Sequence, residues 1–443
     1  MAGEVTMWDS SLLDALTENG SPITYGVVKP GAEGDVPFVR GGDITGGRVL
    51  INQLRTITRD ISQQYRRTLL RGGEILVSLV GNPGQIAIAP PSLVGANIAR
   101  QVGLIRLKPG VDSRFISYFL QSPVGQKTLG ARSLGSVQQV INLRDLKTVK
   151  VPLPPLPEQR RIAHILGTLD DKIENNRKTA KTLEAMAQAI FKSWFVDFDP
   201  VRAKMNGESP ESICKRLKLT PEILDLFPDR LVDSELGEIP EGWNPIVLSK
   251  LFIERKERDV TGLLTEYSST NDGVIPRGLI FNKSISTQYV PNKVIHFGDF
   301  VFGLSRKVLN FGLMTDTLGS VSPAYRVFSI MDGTVNPVII EKLIRANHSY
   351  YYQVLSAGSR EGQSISLDSF SIICLPSIPD KIQIAYLSIS DFILMVKKPM
   401  DLQVLALIKI RDTLLPKLIS GEVRIPEAQN LIKSAMERTN EQI

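Results

Sequence analysis

The chain is short of the residues that usually build active sites and covalent frameworks. Its 443 residues include only two cysteines, Cys214 and Cys374, and three histidines, His164, His296 and His348. Two distant cysteines give neither a disulfide framework nor metal spacing. The histidines lie near neither one another nor a cysteine, which argues against a zinc centre or a hydrolase triad. The chain has no Gly-Lys pair, so the GxxxxGK[ST] phosphate loop of an ATP-driven motor is absent. An adenine methyltransferase calls for Asn/Asp-Pro-Pro-aromatic. Asn82-Pro83-Gly84, Asn244-Pro245-Ile246 and Asn336-Pro337-Val338 are turn-like instead. Pro228-Asp229 and Pro379-Asp380 resemble nuclease openings, but no convincing Glu-x-Lys follows either. No apolar run approaches the ~20 residues of a membrane span. The N-terminal MAGEVTMWDSSLLDALTENG has no basic region leading into an apolar one, so a cytoplasmic protein without membrane contact is expected.

What is present is ordinary in bulk and unusual in arrangement. Apolar residues at 42% and charged residues at 22% describe a globular protein long enough for two or three domains. The net charge of +6 is concentrated early: residues 1–155 hold 17 Lys/Arg against 11 Asp/Glu, whereas residues 236–379 hold 13 against 13. That excess suits a polyanionic partner, and equally a solvated surface.

Shifting the sequence by 224 residues reveals an internal repeat. VPLPPLPEQ (151–159) falls on LPSIPDKIQ (375–383), pairing Pro152 with Pro376, Pro155 with Pro379 and Gln159 with Gln383. Upstream, GGEILVSLVG (72–81) resembles FGDFVFGLSR (297–306) at nearly the same shift; downstream, AIFKSWFVDF (189–198) meets TLLPKLISGE (413–422). The period is too long for a solenoid. The repeated unit is a globular domain, a proline hinge and a helix.

In the first copy Ile162, Leu166, Leu169, Ile173, Asn176, Ala180, Leu183, Ala187, Ile190 and Trp194 alternate spacings of four and three, the seam of a coiled coil. Pro157 suits a first helical turn, where its missing N–H has no partner. A helix over 157–196 would be roughly 60 Å long. Asn176 is the kind of polar seam residue that fixes register. A long core helix of a bundle is the alternative. In the second copy Met400, Val404, Leu407, Leu414 and Leu418 continue the seam, Arg411 interrupts it, and Pro399 predicts a kink or a break into two segments. Gly421 is a natural stop. Residues 199–240 read as a connector with short helices, one around Glu222–Leu226. β-like runs at 74–80, 85–89, 102–107 and 324–330, with helices near Ser113–Gln121 and Pro337–Ala346, make both globular regions mixed α/β.

LPPLPEQRRIAHIL (153–166), FKSWFVDFDPVRAK (191–204), ELGEIPEGW (235–243) and RDTLLPKLISGEVRIP (411–426), set in a duplicated chain without an active site, resemble the specificity subunit of type I restriction-modification enzymes. PFVRGGDI (37–44) and GGEILVSLVGNPGQIAI (72–88) are similar to features of that family's target-recognition domains. DKIQIAYLSISDFIL (380–394) departs from the family's usual Glu-Gln opening, as does Pro399.

The resemblance implies an α+β fold: two mixed α/β target-recognition domains separated by two long antiparallel coiled-coil helices, as a pseudo-twofold repeat. Its boundaries would be a first recognition domain at 1–153, a spacer helix at 154–200, a connector at 201–240, a second recognition domain at 241–376, a second spacer helix at 377–421 and a tail at 422–443. It further implies a non-catalytic subunit of a host-defence complex in a prokaryotic cytoplasm. Each domain would read half of an asymmetric bipartite DNA target in the major groove. The partners would be double-stranded DNA, two methyltransferase subunits with S-adenosylmethionine, and restriction subunits with ATP and magnesium; the chain itself would bind no cofactor or metal. A self-sufficient DNA-modifying enzyme with an unrecognised site is the alternative, and a bare coiled-coil scaffold a third reading.

Base reading needs the donors of Arg, Lys, Asn and Gln, and backbone anchoring needs Arg and Lys. The candidates are Arg40, Arg48, Arg66, Arg67, Gln138 and Gln139 in the first domain, and Arg277, Lys283, Arg306, Lys307, Arg360 and Gln363 in the second. Ile162, Leu166, Leu169, Ile173, Leu183, Ile190, Val404, Leu407, Leu414 and Leu418 are assigned to the seam, and Gly81 and Gly84 to a tight turn.

Overall fold

The computed structural model describes residues 8–130, 140–270, 273–279, 291–303, 310–331, 335–346, 367–371 and 373–441. The chain divides into two compact units: Met1–Ala180 with Lys397–Ile443, and Lys181–Val396. The division falls inside both long helices, Leu156–Phe195 and Asp380–Ser420.

The first unit is built on a four-stranded antiparallel sheet of β1 (Thr24–Tyr25), β2 (Ile75–Ser78), β3 (Ile86–Ile88) and β4 (Val102–Ile105), in the order β1-β4-β2-β3. The strands β2 and β4 are buried along their whole length, which is why they read as unbroken apolar runs rather than alternating ones. Gly81 and Gly84, with φ of 93° and 87°, turn the chain between β2 and β3 in a conformation that L side chains avoid. Against this sheet lies the helix Ser113–Gln121, capped by Asp112, whose carboxylate accepts the Phe115 N–H at 3.0 Å. Its Phe115, Ile116, Phe119 and Leu120 share a core with Ile162, Ile165 and Leu166 of the first long helix. A smaller sheet places Val36–Val39 between Arg55–Ile57 and Asn97–Ile98.

The second unit repeats the plan. Its sheet is β5 (Phe252–Glu254), β6 (Phe300–Gly303), β7 (Asn310–Leu313) and β8 (Arg326–Ile330), in the order β5-β8-β6-β7. The chain path through the sheet is the same, but the filling differs. Phe252, Phe300, Phe302, Phe328 and Phe370 pack ring on ring where the first unit uses aliphatic side chains. The helix Pro337–Ala346 stands where the repeat places it, 224 positions after the helix Ser113–Gln121. At 199–240 the expected short helices are present as Asp199–Met205, Pro210–Leu217 and Pro221–Leu224; a β-hairpin, Leu231–Ser234 with Gly237–Pro240, follows them.

Within the first unit the long helices pack antiparallel. Leu169 and Ile173 meet Val404 and Leu407, while Leu166 shares a core with Leu414 and Leu418. Asn176 donates to the Gln403 side chain at 3.2 Å inside the seam. Arg411 does not interrupt the pairing as the sequence suggests: its guanidinium reaches Asp170 at 2.9 Å. Within the second unit the first long helix changes character. Leu183 and Ile190 are half-buried there, and Phe191, Trp194 and Phe195 pack around Tyr386 of the second long helix.

One expectation needs correcting. The second long helix is continuous from Asp380 to Ser420 and contains both Pro399 and Pro416. A proline deprives the carbonyl four residues earlier of its donor. That residue is Met395, which is 68% exposed, so water can replace the lost bond. The segment 422–443, the C-terminal tail of the sequence reading, packs on the first unit. Ile425–Glu441 is a helix whose Ala428 is buried and whose Ile432 and Met436 pack on the long-helix pair.

Candidate nucleic-acid interface

The first unit carries an open groove of about 380 Å³ between the 27–33 loop and the small sheet, walled by Phe38, Arg40, Arg55, Arg100 and Gln101. Arg55 stands opposite Phe38 in the strand register, and Arg100 follows directly from the strand Asn97–Ile98. Both are exposed, and neither has an ion-pair partner among the described residues. Arg40 differs. It holds Asp43 in a two-point grip, at 3.2 Å through Nε and 2.9 Å through Nη2, and that hydrogen bonding raises its pKa further. A guanidinium committed in this way braces the groove wall, leaving Arg55 and Arg100 as the exposed donors of a groove that Glu33 also lines. Sequence reasoning missed both. The strand Arg55–Ile57 runs from an exposed Arg55 to a buried Ile57 without alternating, so strand periodicity gives no local signal for Arg55.

The other candidates are placed as follows. Arg66 and Arg67 are exposed on a short turn, and the Arg67 carbonyl accepts from the buried Arg106 at 2.7 Å. Arg48 points to the first long helix and pairs with Glu174 at 3.0 Å. The cause is local. Gly46 and Gly47, with φ of 55° and 81°, make the two-residue turn that joins Ile44–Thr45 to Arg48–Val49, with positive φ at both positions as a type I′ hairpin turn requires. Arg277, expected at the surface, is 7% exposed and donates to Ser268 at 3.3 Å, so it faces protein. Gln138, Gln139, Lys283, Arg306, Lys307, Arg360 and Gln363 lie outside the described residues. Three other basic groups of the second unit are engaged: Arg255 with Asp299 at 2.7 Å, Arg326 with Glu254 at 2.7 Å, and Lys293, buried, with the Tyr325 carbonyl at 2.7 Å. Burial lowers the Lys293 pKa, and Arg326 nearby lowers it further.

Each sheet domain is mounted on a long helix by the same device. The Gln159 side-chain oxygen accepts the Asp112 N–H at 2.9 Å, and its amide donates to the Pro154 carbonyl at 2.8 Å. Gln383 does the same with Asn336 and Ile378, at 2.8 and 2.7 Å. Both glutamines are buried. In the first unit a second set of ties joins in: Tyr118 donates to Asp170 at 2.7 Å, beside the Arg411–Asp170 and Arg48–Glu174 pairs. Among the described residues no group of three or more His, Cys, Asp and Glu is placed to hold a metal, and no helix is long and apolar enough to cross a membrane.

A sheet domain seated on a long helix through a buried glutamine, present twice in one chain, defines a duplicated, helix-mounted binding module. Residues 24–185 match the family described as Type I restriction modification DNA specificity domain. The chain is 31% identical to the EcoBI specificity subunit of Escherichia coli, in a match spanning 46% of this chain and 44% of that protein. It is 25% identical to the MjaIX specificity subunit of Methanocaldococcus jannaschii over 89% of this chain and 88% of that one. The crystal structure of a type I S subunit from M. genitalium shares the fold, with a TM-score of 0.57 at 16% identity, covering 94% of this chain and 97% of the other. The chain is thus similar, along most of its length, to specificity subunits of type I restriction-modification enzymes.

Proposed function

We propose that the chain selects an asymmetric two-part DNA target, one part through each unit, and leaves catalysis to partner subunits. The observation that carries this reading is the repetition of one sheet order and one glutamine mount 224 residues apart, on domains whose surfaces differ. Two copies of a reader with different side chains call for two different half-sites. The groove of Arg55 and Arg100 supplies donors of the type that reads guanine edges and anchors phosphates. A 40-residue helix is about 60 Å long, enough to reach from one major-groove face to the next, ~34–36 Å further on.

The second long helix offers a surface for partners. Phe392 and Met395 are 62% and 68% exposed, large apolar side chains that a helix from a methyltransferase subunit would cover. S-adenosylmethionine would then sit on that partner, and ATP and magnesium on a restriction partner. The test is methyl transfer. The isolated chain, incubated with duplex DNA and labelled S-adenosylmethionine, transfers nothing, and addition of the methyltransferase partner restores transfer. Labelled DNA from the chain alone would overturn the reading.

A further inference from the structure

We infer that Tyr118, Asp170 and Arg411 are positioning residues that fix the angle of the first domain on its helix, and thereby the gap length accepted between the two parts of the target. The inference rests on the two-part reading above and deepens it. Asp170 is the shared acceptor: Tyr118, on the domain's helix, donates at 2.7 Å, and Arg411, on the second long helix, donates at 2.9 Å. One carboxylate therefore ties three elements of the first unit together at the edge of a polar cleft of about 430 Å³. Asp170 is half-buried, where a hydrogen bond to a charged group is worth more than at an open surface.

The repeat separates this role from folding. A contact required to seat a sheet domain on a helix should occur in both copies, as the glutamine mount does. At the corresponding positions, 224 residues away, Tyr118, Asp170 and Arg411 are replaced by Lys342, Leu394 and Ala187. None of these can rebuild the tie. The first domain thus has a polar restraint that its fold does not demand, between the domain that carries the Arg55 and Arg100 groove and the helix it sits on.

The experiment is selection from duplexes with randomised half-sites and gaps of varied length, using the chain co-purified with its methyltransferase partner. Wild type should return one gap; a failure to return any two-part motif would overturn the functional reading and this inference with it. Given a single wild-type gap, Tyr118→Phe, which deletes only the hydroxyl, should keep both half-site sequences. It should raise recovery of gaps one base pair longer or shorter by about tenfold, the factor one charged hydrogen bond supplies. Arg411→Lys keeps the charge but loses the fork and should behave alike, which covers the case in which the tyrosine variant does not fold. An unchanged gap distribution in a folded variant would overturn the inference while leaving the two-part reading standing.

Discussion

Gln159 and Gln383 make the same two hydrogen bonds from equivalent positions of the repeat, each accepting an N–H at the start of a short helix and donating to a carbonyl five residues upstream. Removing either amide strands a buried donor and a buried acceptor. Gln159→Leu and Gln383→Leu should each cost about 2–4 kcal/mol in their own unit. Thermal melting should register this as a drop of several degrees. A change of under a degree would mean that the glutamine does not mount the domain.

Gly26 sits against the strand Asn97–Ile98, two residues before Arg100. A Cβ on Gly26 would lie 1.8 Å from the Ile98 carbonyl oxygen, a backbone atom that also accepts the Val27 N–H at 2.8 Å. Gly26→Ala must push the Asn97–Ile98 strand aside, costing roughly 1–3 kcal/mol or more, and should weaken DNA binding by displacing Arg100. Gly42, with open space around its Cβ position, should tolerate alanine within about 0.5 kcal/mol. Paired melting and fluorescence-anisotropy titrations distinguish the two. Equal effects would contradict the packing argument.

Arg48 and the pair Arg55 and Arg100 should part company in salt titrations. Affinity for DNA falls with salt in proportion to the phosphates neutralised, at a slope near −0.9 for each in B-DNA. Arg55→Ala with Arg100→Ala should flatten the slope by about one to two. Arg48→Ala should leave it unchanged, since Glu174 already holds that charge. The reverse ordering would relocate the interface.

Alkaline stability follows from three tyrosines. Burial, reinforced by Asp170, raises the Tyr118 pKa well above its ordinary value. The hydrogen bond to Asp316 raises Tyr267 to about 12, and burial raises Tyr386 to about 12. An unfolded tyrosine titrates near pH 10. Above that pH the unfolded chain gives up protons that the folded chain retains, so stability is full below about pH 10 and falls as pH rises towards 12. Urea unfolding at stepped pH should show this decline, and Tyr118→Phe should make it shallower. Identical slopes would mean that Tyr118 ionises freely in the folded state.

Much of the architecture was legible because its signals are local. The helices Ser113–Gln121 and Pro337–Ala346, the strands β2 to β4 and β8, and the seam from Ile162 to Ile173 follow from runs and spacings within a few residues. The helix Ile425–Glu441 went unread as a tail, although Ile425, Ala428, Ile432 and Met436 recur at three and four after the stop glycine. What sequence could not supply was pairing at a distance. Arg411 looks like a fault in the seam until Asp170, 241 residues away, is found beside it. Arg48 gives no sign in the sequence of its ion pair with Glu174 of the long helix, which follows the Gly46-Gly47 turn. Arg277 looks exposed because a short strand does not reveal which of its faces is covered.

The most direct measurement is the sequence recovered when the chain, bound to its methyltransferase partner, selects from fully randomised duplex DNA. Two dissimilar half-sites at a fixed separation are the result this account predicts. A single half-site, a palindrome or no motif would contradict it.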